Sequence, residues 1–166
     1  MENVVATELI DGKRIAARLR HQLTTQVEEF LYSTGRRPYL AVILVGDDPA
    51  SQVYVQNKER SAIECGMHSH LHRLPSTATE RDILNLIDAL NTDPSVDGIL
   101  LQLPLPKGIA ARSILQSIDP AKDVDGFHPI NIGRLAIGEP ALAPCTPLRC
   151  MVLARITLGD LSGVEA

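Results

Sequence analysis

Tryptophan is absent from this 166-residue chain, and three tyrosines and two phenylalanines are its only benzene-type aromatics. A core must then be aliphatic, and each aromatic ring that occurs asks for its own explanation. An excess of positive charge is missing too: 16 Lys and Arg against 20 Asp and Glu leave a net charge of −4. That balance argues against nucleic acid or an anionic membrane as the main partner. No apolar run approaches the ~20 residues of a membrane span. Met1-Glu2-Asn3-Val4 has no basic stretch leading into an apolar one, so no signal peptide is expected and a cytoplasmic location is. Cys65, Cys145 and Cys150 are odd in number and fit no zinc spacing. Three reduced thiols in a reducing compartment is the simplest account.

The chain does have 45% apolar and 22% charged residues, as an ordinary globular protein has. Its length suits one domain with a sizeable core. Asp11 can cap a first helix, in which Ile15, Leu19, Leu23, Val27 and Leu31 recur on one face until Gly35 and Pro38 end it. Tyr39 to Val45 is a continuous apolar run, which suits a strand buried on both faces. A helix from Ser51 stops at Gly66, and His68 to Leu74 is a second strand. Thr79-x-x-Asp82 predicts a capping box opening a helix through Leu90. Val96 to Leu103 reads as a third strand and Ile109 to Ile118 as a short helix. From Asp119 to about Pro147 the chain reads as loop, and Leu148 to Ile156 as a last helix. Strands alternating with helices predict an α/β fold, a three-layer open and mainly parallel sheet flanked by helices.

Tyr54 and Lys58 lie four residues apart in the second helix, with Ser51 one turn earlier, so all three share a face. A ring beside an amine can hold a flat heterocycle and move a proton on it. For an isolated pair, the plainer reading puts Tyr54 in the core and Lys58 in solvent. Gln102 ends a buried strand, where open α/β sheets bind ligands. The Leu103-Pro104-Leu105-Pro106 run after it is a stiff exit with two backbone donors missing. Lys122-Asp123-Val124-Asp125-Gly126-Phe127-His128-Pro129 is dense in charge and turn residues. A carboxylate there can accept from the N–H groups of a heterocycle; two Asp with no third ligand make a poor metal site. His68, His70 and His72 alternate and would share one face of a strand. With no fourth ligand in sight, no metal is expected there.

Four segments together carry a resemblance. They are Val45-Gly46-Asp47-Asp48-Pro49-Ala50-Ser51 through Tyr54-Val55-x-x-Lys58, Gly98 through Pro106, Lys122 through Pro129, and Pro144-Cys145-Thr146-Pro147. In order and approximate spacing they resemble the bifunctional methylenetetrahydrofolate dehydrogenase/methenyltetrahydrofolate cyclohydrolase family. The resemblance implies an enzyme of one-carbon folate metabolism that oxidises 5,10-methylenetetrahydrofolate with NADP and hydrolyses the methenyl cation to 10-formyltetrahydrofolate. It implies that Tyr54 stacks on the folate, Lys58 is the catalytic lysine, Gln102 bonds Lys58 and helps set its protonation state, and Asp125 holds the pterin edge. Ser51, Val55, Leu101 and Leu103 are expected around the substrate, and Cys145, Thr146 and Pro147 near the nicotinamide.

The resemblance also implies a homodimer. It divides the chain into a folate-binding catalytic part, residues 1–147, and a helix and linker, residues 148–166, leading to an NAD(P)-binding domain that these residues do not contain. No Gly-rich phosphate turn opens a helix here, so dehydrogenase activity from the 166 residues alone is not expected. Arg149 stands where the family pattern Pro-Cys-Thr-Pro-x-Gly usually has Gly, and a long cation there is expected to crowd the cleft. The alternatives from other classes are a folate-binding module without chemistry and the substrate domain of another dehydrogenase, acting on amino acids or shikimate. The retained Lys58 argues against the first. The Gln102 strand and the Asp125 loop argue against the second.

Overall fold

A computed structural model describes residues 9–163. Three parallel strands form its sheet in the order β2-β1-β3. They are β1 (Tyr39–Val45), β2 (His68–Leu74) and β3 (Gly98–Leu101). The apolar run takes the centre, with Ala41 to Val45 all buried, since only a strand covered on both faces can bury consecutive side chains. Pairing runs from Tyr39↔His68 to Val45↔Leu74 on one side and from Leu40↔Gly98 to Ile43↔Leu101 on the other.

Helices cover both faces, giving the three layers expected. Helix α3 (Glu80–Thr92) and α4 (Ala111–Ser117) close one face. There Ile83, Ile87, Leu90, Ile114 and Ile118 meet Ala41, Ile43, Val45, Ile99 and Leu101. Helix α2 (Pro49–Glu64) covers the other face and seats Val55 against Val42, Leu44 and Leu100. Each such side chain contributes about 1.5–3 kcal/mol when fully buried. The Thr79–Asp82 capping box forms as predicted, with Asp82 also accepting from the Thr79 N–H at 2.8 Å.

Helix α1 (Gly12–Thr34) has its predicted Asp11 cap and ends at a left-handed Gly35. Its apolar stripe is mostly not buried: Val27 is, but Leu19 is 42% exposed. The helix meets the body near the end of α2, where the Cys65 thiol points to the Arg20 carbonyl and Gly66 approaches Val27.

The sequence-based bounds need three corrections. β3 is four residues, not eight, because the Asp97 side chain turns back to Arg36 and the Tyr39 N–H, and Pro104 cannot continue a ladder. The stretch read as loop contains α5 (Pro129–Ala136), opened by Pro129 and capped by the His128 ring, whose Nδ1 accepts from the Ile130 N–H. The last helix, α6, spans Cys145–Leu158, longer at both ends than the Leu148–Ile156 expected. Pro147 is tolerated there because first-turn N–H groups have no intrahelical partner.

Candidate functional site

The turn after β1 reverses at Gly46 with φ of 85°, and Asp48 then caps α2 by accepting from the Ser51 N–H at 2.8 Å. The helix enters with Ser51 and Val55 turned toward the sheet, both buried. Tyr54, Lys58 and Ser61 lie on the adjoining face and line a cleft of about 860 Å³. Tyr54 is 63% exposed, so it is an available ring and not a core residue.

Gln102 hangs from the end of β3, its N–H bonded to the Ile43 carbonyl at 2.9 Å. Its side-chain Nε2 donates to the Leu103 carbonyl at 2.7 Å. A carbonyl can only accept, so this bond fixes the amide's orientation and leaves Oε1 facing the lysine. Lys58 Nζ donates to that Oε1 at 3.3 Å.

The third wall comes from residues 122–126. Lys122 donates to the carbonyls of Leu90, Asn91 and Asp93 at 2.7–2.9 Å, capping the carboxyl end of α3. Its own carbonyl takes the Ile99 N–H, which lays the segment along β3. Asp123 is buried and occupied, accepting from the His128 N–H at 2.8 Å and from Asn131 Nδ2 at 3.0 Å. Val124 packs against Gly98, and Asp125 is left lining the cleft. Burial raises the Asp125 carboxyl above its ordinary value; Lys58 opposes this, Asp123 adds to it, and Arg149 opposes it.

Tyr54, Lys58, Gln102 and Asp125 therefore meet in one cleft. Its place differs from the sequence-based one. It does not sit only beyond the carboxyl ends of the strands. It runs along the α2 face of the sheet, from Tyr39 and Gly98 at the strand starts to Gln102. Gly98 lets the 122–126 segment lie close against the start of β3, with Val124 filling the space where a side chain would be, so Asp125 forms a wall along the strand.

The other expected site residues divide. Cys145 lines the cleft, and so does Arg149. Ser51 and Val55 belong to the framework, because the sheet side of α2 buries them. Leu101 and Leu103 pack on the opposite face with the α3 core, since side chains alternate along a strand. Thr146 and Pro147 are exposed in the first turn of α6 and do not line the cleft. Asn57 and Ser61 were missed, although their offsets of three and seven from Tyr54 place them on its face. Tyr39, Met67 and Asp97 also line the cleft, and no local pattern announces them.

His70 and His72 touch edge to face, with centroids 4.6 Å apart. Burial first, then the neighbouring His70, pushes the His72 imidazole below its ordinary value. Among the described residues no group of three His, Cys, Asp or Glu is placed to hold a metal ion. No helix of the described residues is long and apolar enough to cross a membrane.

Residues 10–125 match the family described as tetrahydrofolate dehydrogenase/cyclohydrolase, catalytic domain. The chain belongs to this family. A curated relative, the bifunctional protein FolD 3 of Rhizorhabdus wittichii, is 55% identical over 159 residues, covering 96% of this chain and 52% of its own length. A crystal structure of the bifunctional FolD methylenetetrahydrofolate dehydrogenase/cyclohydrolase of Campylobacter jejuni superposes with a TM-score of 0.89 at 48% identity, covering 93% of this chain and 55% of that one. The Trypanosoma brucei enzyme, solved with NADP and an inhibitor, has a TM-score of 0.87 at 33% identity, covering 91% and 52%. The chain thus spans about half the length of the relatives it matches, and that half is the catalytic domain of the tetrahydrofolate dehydrogenase/cyclohydrolases.

The turns that open α2 and α3 do not fit an NADP pyrophosphate, which needs free N–H groups. After β1 the Asp48 carboxylate already takes the Ser51 N–H. After β2 the Thr79–Asp82 box closes the start of α3. After β3, Pro104 and Pro106 remove two donors from the turn, and the short α4 that follows starts without a side-chain cap.

Proposed function

We propose that this chain binds folate and carries the hydrolytic chemistry of a bifunctional enzyme that converts 5,10-methylenetetrahydrofolate to the 5,10-methenyl cation and then to 10-formyltetrahydrofolate. The observation that carries this reading is the Lys58–Gln102 hydrogen bond of 3.3 Å, inside a cleft that also presents Tyr54 and Asp125. A module that only bound folate would have no use for an amine aimed by a fixed amide.

Each residue has a part. The exposed Tyr54 ring stacks on the flat ligand. The Asp125 carboxylate accepts from the N–H groups at the pterin edge. Lys58, held by Gln102, takes a proton from the water that attacks the carbon between N5 and N10. The bond from that carbon to N5 then breaks, N5 gains a proton, and the formyl group stays on N10 with net release of one proton. The starts of α2 and α3 are closed by their own caps, and the groups gathered in the cleft are a ring, an amine, an amide and a carboxylate, so the part proposed for these residues is folate binding and the hydrolytic step. A cytoplasmic homodimer goes with this reading. The exposed Ile130, Leu135, Leu148 and Met151 of α5 and α6 support an association surface, which sedimentation would test.

The test is Lys58→Met, which keeps much of the side chain's length without a proton acceptor. Loss of methenyl-folate absorbance is followed, corrected for spontaneous hydrolysis, beside binding of a folate analogue. The expected result is abolished hydrolysis with binding retained. Hydrolysis at the parent rate would show that Lys58 is not the catalytic group.

A further inference from the structure

Arg149 brings an additional positive charge to the cleft. It lies one helical turn after Cys145 on α6, and both line the cavity with Asp125 and Lys58. Among the described residues its guanidinium has no ion-pair partner, as is true of most of the arginines; what distinguishes it is its place on the cleft wall beside Asp125. Its field reaches Asp125. Asp97, the other carboxylate on the wall, is taken up by two bonds from Arg36 of 2.6 and 2.7 Å.

Arg36 offsets Asp97, and Asp125 is the remaining carboxylate of the wall. Arg149 therefore makes the cleft more positive by one charge than it would be without it, whatever Lys58 carries. An added positive charge disfavours a monocation relative to a neutral ligand of the same shape. The folate forms of the proposed reaction differ in this respect. The methenyl species has a cationic ring region, and the methylene and formyl species do not.

We propose that Arg149 is a specificity-determining residue that biases this cleft against cationic ligands and toward neutral ones of like shape. The proposal rests on the folate reading above. It deepens it by assigning the chain's preference among folate forms to one side chain on α6.

The test compares the parent chain with Arg149→Met and Arg149→Gly. Binding of 5,10-methenyltetrahydrofolate, the cation, and of 5-formyltetrahydrofolate, neutral in the ring region, is measured by stopped-flow fluorescence ahead of hydrolysis. Both variants are expected to bind the cation roughly five- to tenfold more tightly, the scale of one charge in a solvent-open site. Affinity for the neutral form should change less than about twofold, and about 0.5 M salt should shrink the gain. Equal tightening of both ligands in Arg149→Gly, with none in Arg149→Met, would make Arg149 an obstruction by bulk and overturn the proposal. Binding of both ligands with an unchanged ratio would overturn it while leaving the folate reading intact. If no version binds either ligand, the folate reading fails and the proposal with it.

Discussion

Gly98 and Val124 approach so closely that a Cβ on the glycine would lie 2.4 Å from a Val124 methyl. This contact seats the Asp125 segment on the start of β3. Gly98→Ala is expected to cost about 1–3 kcal/mol by overpacking and to weaken binding of a folate analogue by moving Asp125. Val124→Ala in the same chain makes room. Urea unfolding and binding of the two single variants and the double variant check this. Strictly additive losses would show that the two side chains do not compete for the space.

Gln102 is expected to matter for rate more than for affinity. Gln102→Leu removes the acceptor that aims Lys58 at 3.3 Å. Hydrolysis of methenyl-folate should fall by roughly tenfold, the worth of one hydrogen bond of about 1.4 kcal/mol. Affinity for a folate analogue should stay within about twofold. A loss confined to affinity would make Gln102 a binding group only.

Lys122 should act on stability and not on chemistry. Its ammonium serves three carbonyls at the end of α3. Lys122→Met leaves them without that donor and is expected to cost about 1–3 kcal/mol. The midpoint of urea unfolding should drop with an unchanged slope.

Asp125 sets a pH dependence. Its carboxyl is raised, chiefly by burial, so it takes up a proton at a pH above the ordinary carboxylate range. Ligand affinity that needs the ionised carboxylate should fall on acidification through that raised value, and Asp125→Asn should abolish the inflection. The stability contribution has the opposite sign. The folded state holds this proton more tightly than the unfolded state, so stability from this group increases as pH falls through the raised value. Asp125→Asn is expected to stabilise the apo protein at neutral pH, as thermal melts across pH would show.

Local sequence determined the pieces. The Tyr39–Val45 run suited a strand covered on both sides, because such a strand buries consecutive aliphatic side chains. The spacing of Tyr54 and Lys58 placed ring and amine on one helical face. The Thr79–Asp82 box was legible because both of its bonds span three residues. Helix α5 was hidden because Gly133 and the short, apolar run from Pro129 imitate a loop exit, and its cap is a histidine ring.

Tertiary structure alone decided which residues of each piece face the ligand. Val55 and Tyr54 are neighbours in sequence, yet one is fully buried and the other 63% exposed, because the sheet covers only one side of α2. Leu101 and Gln102 part in the same way, Leu101 to the α3 core and Gln102 to the cleft, since consecutive side chains on a strand point to opposite faces. The functions of Lys122 and Asp123 were equally out of reach of local reading. Their partners lie on α3 and α5, and only the packed chain brings those groups within hydrogen-bonding distance. The sequence by itself determined which chemical groups are available and on which elements; the packing of α2, β3 and the 122–126 segment decided that Tyr54, Lys58, Gln102 and Asp125 share one cleft with Arg149, because contacts between distant segments follow from which faces are buried and not from residue spacing.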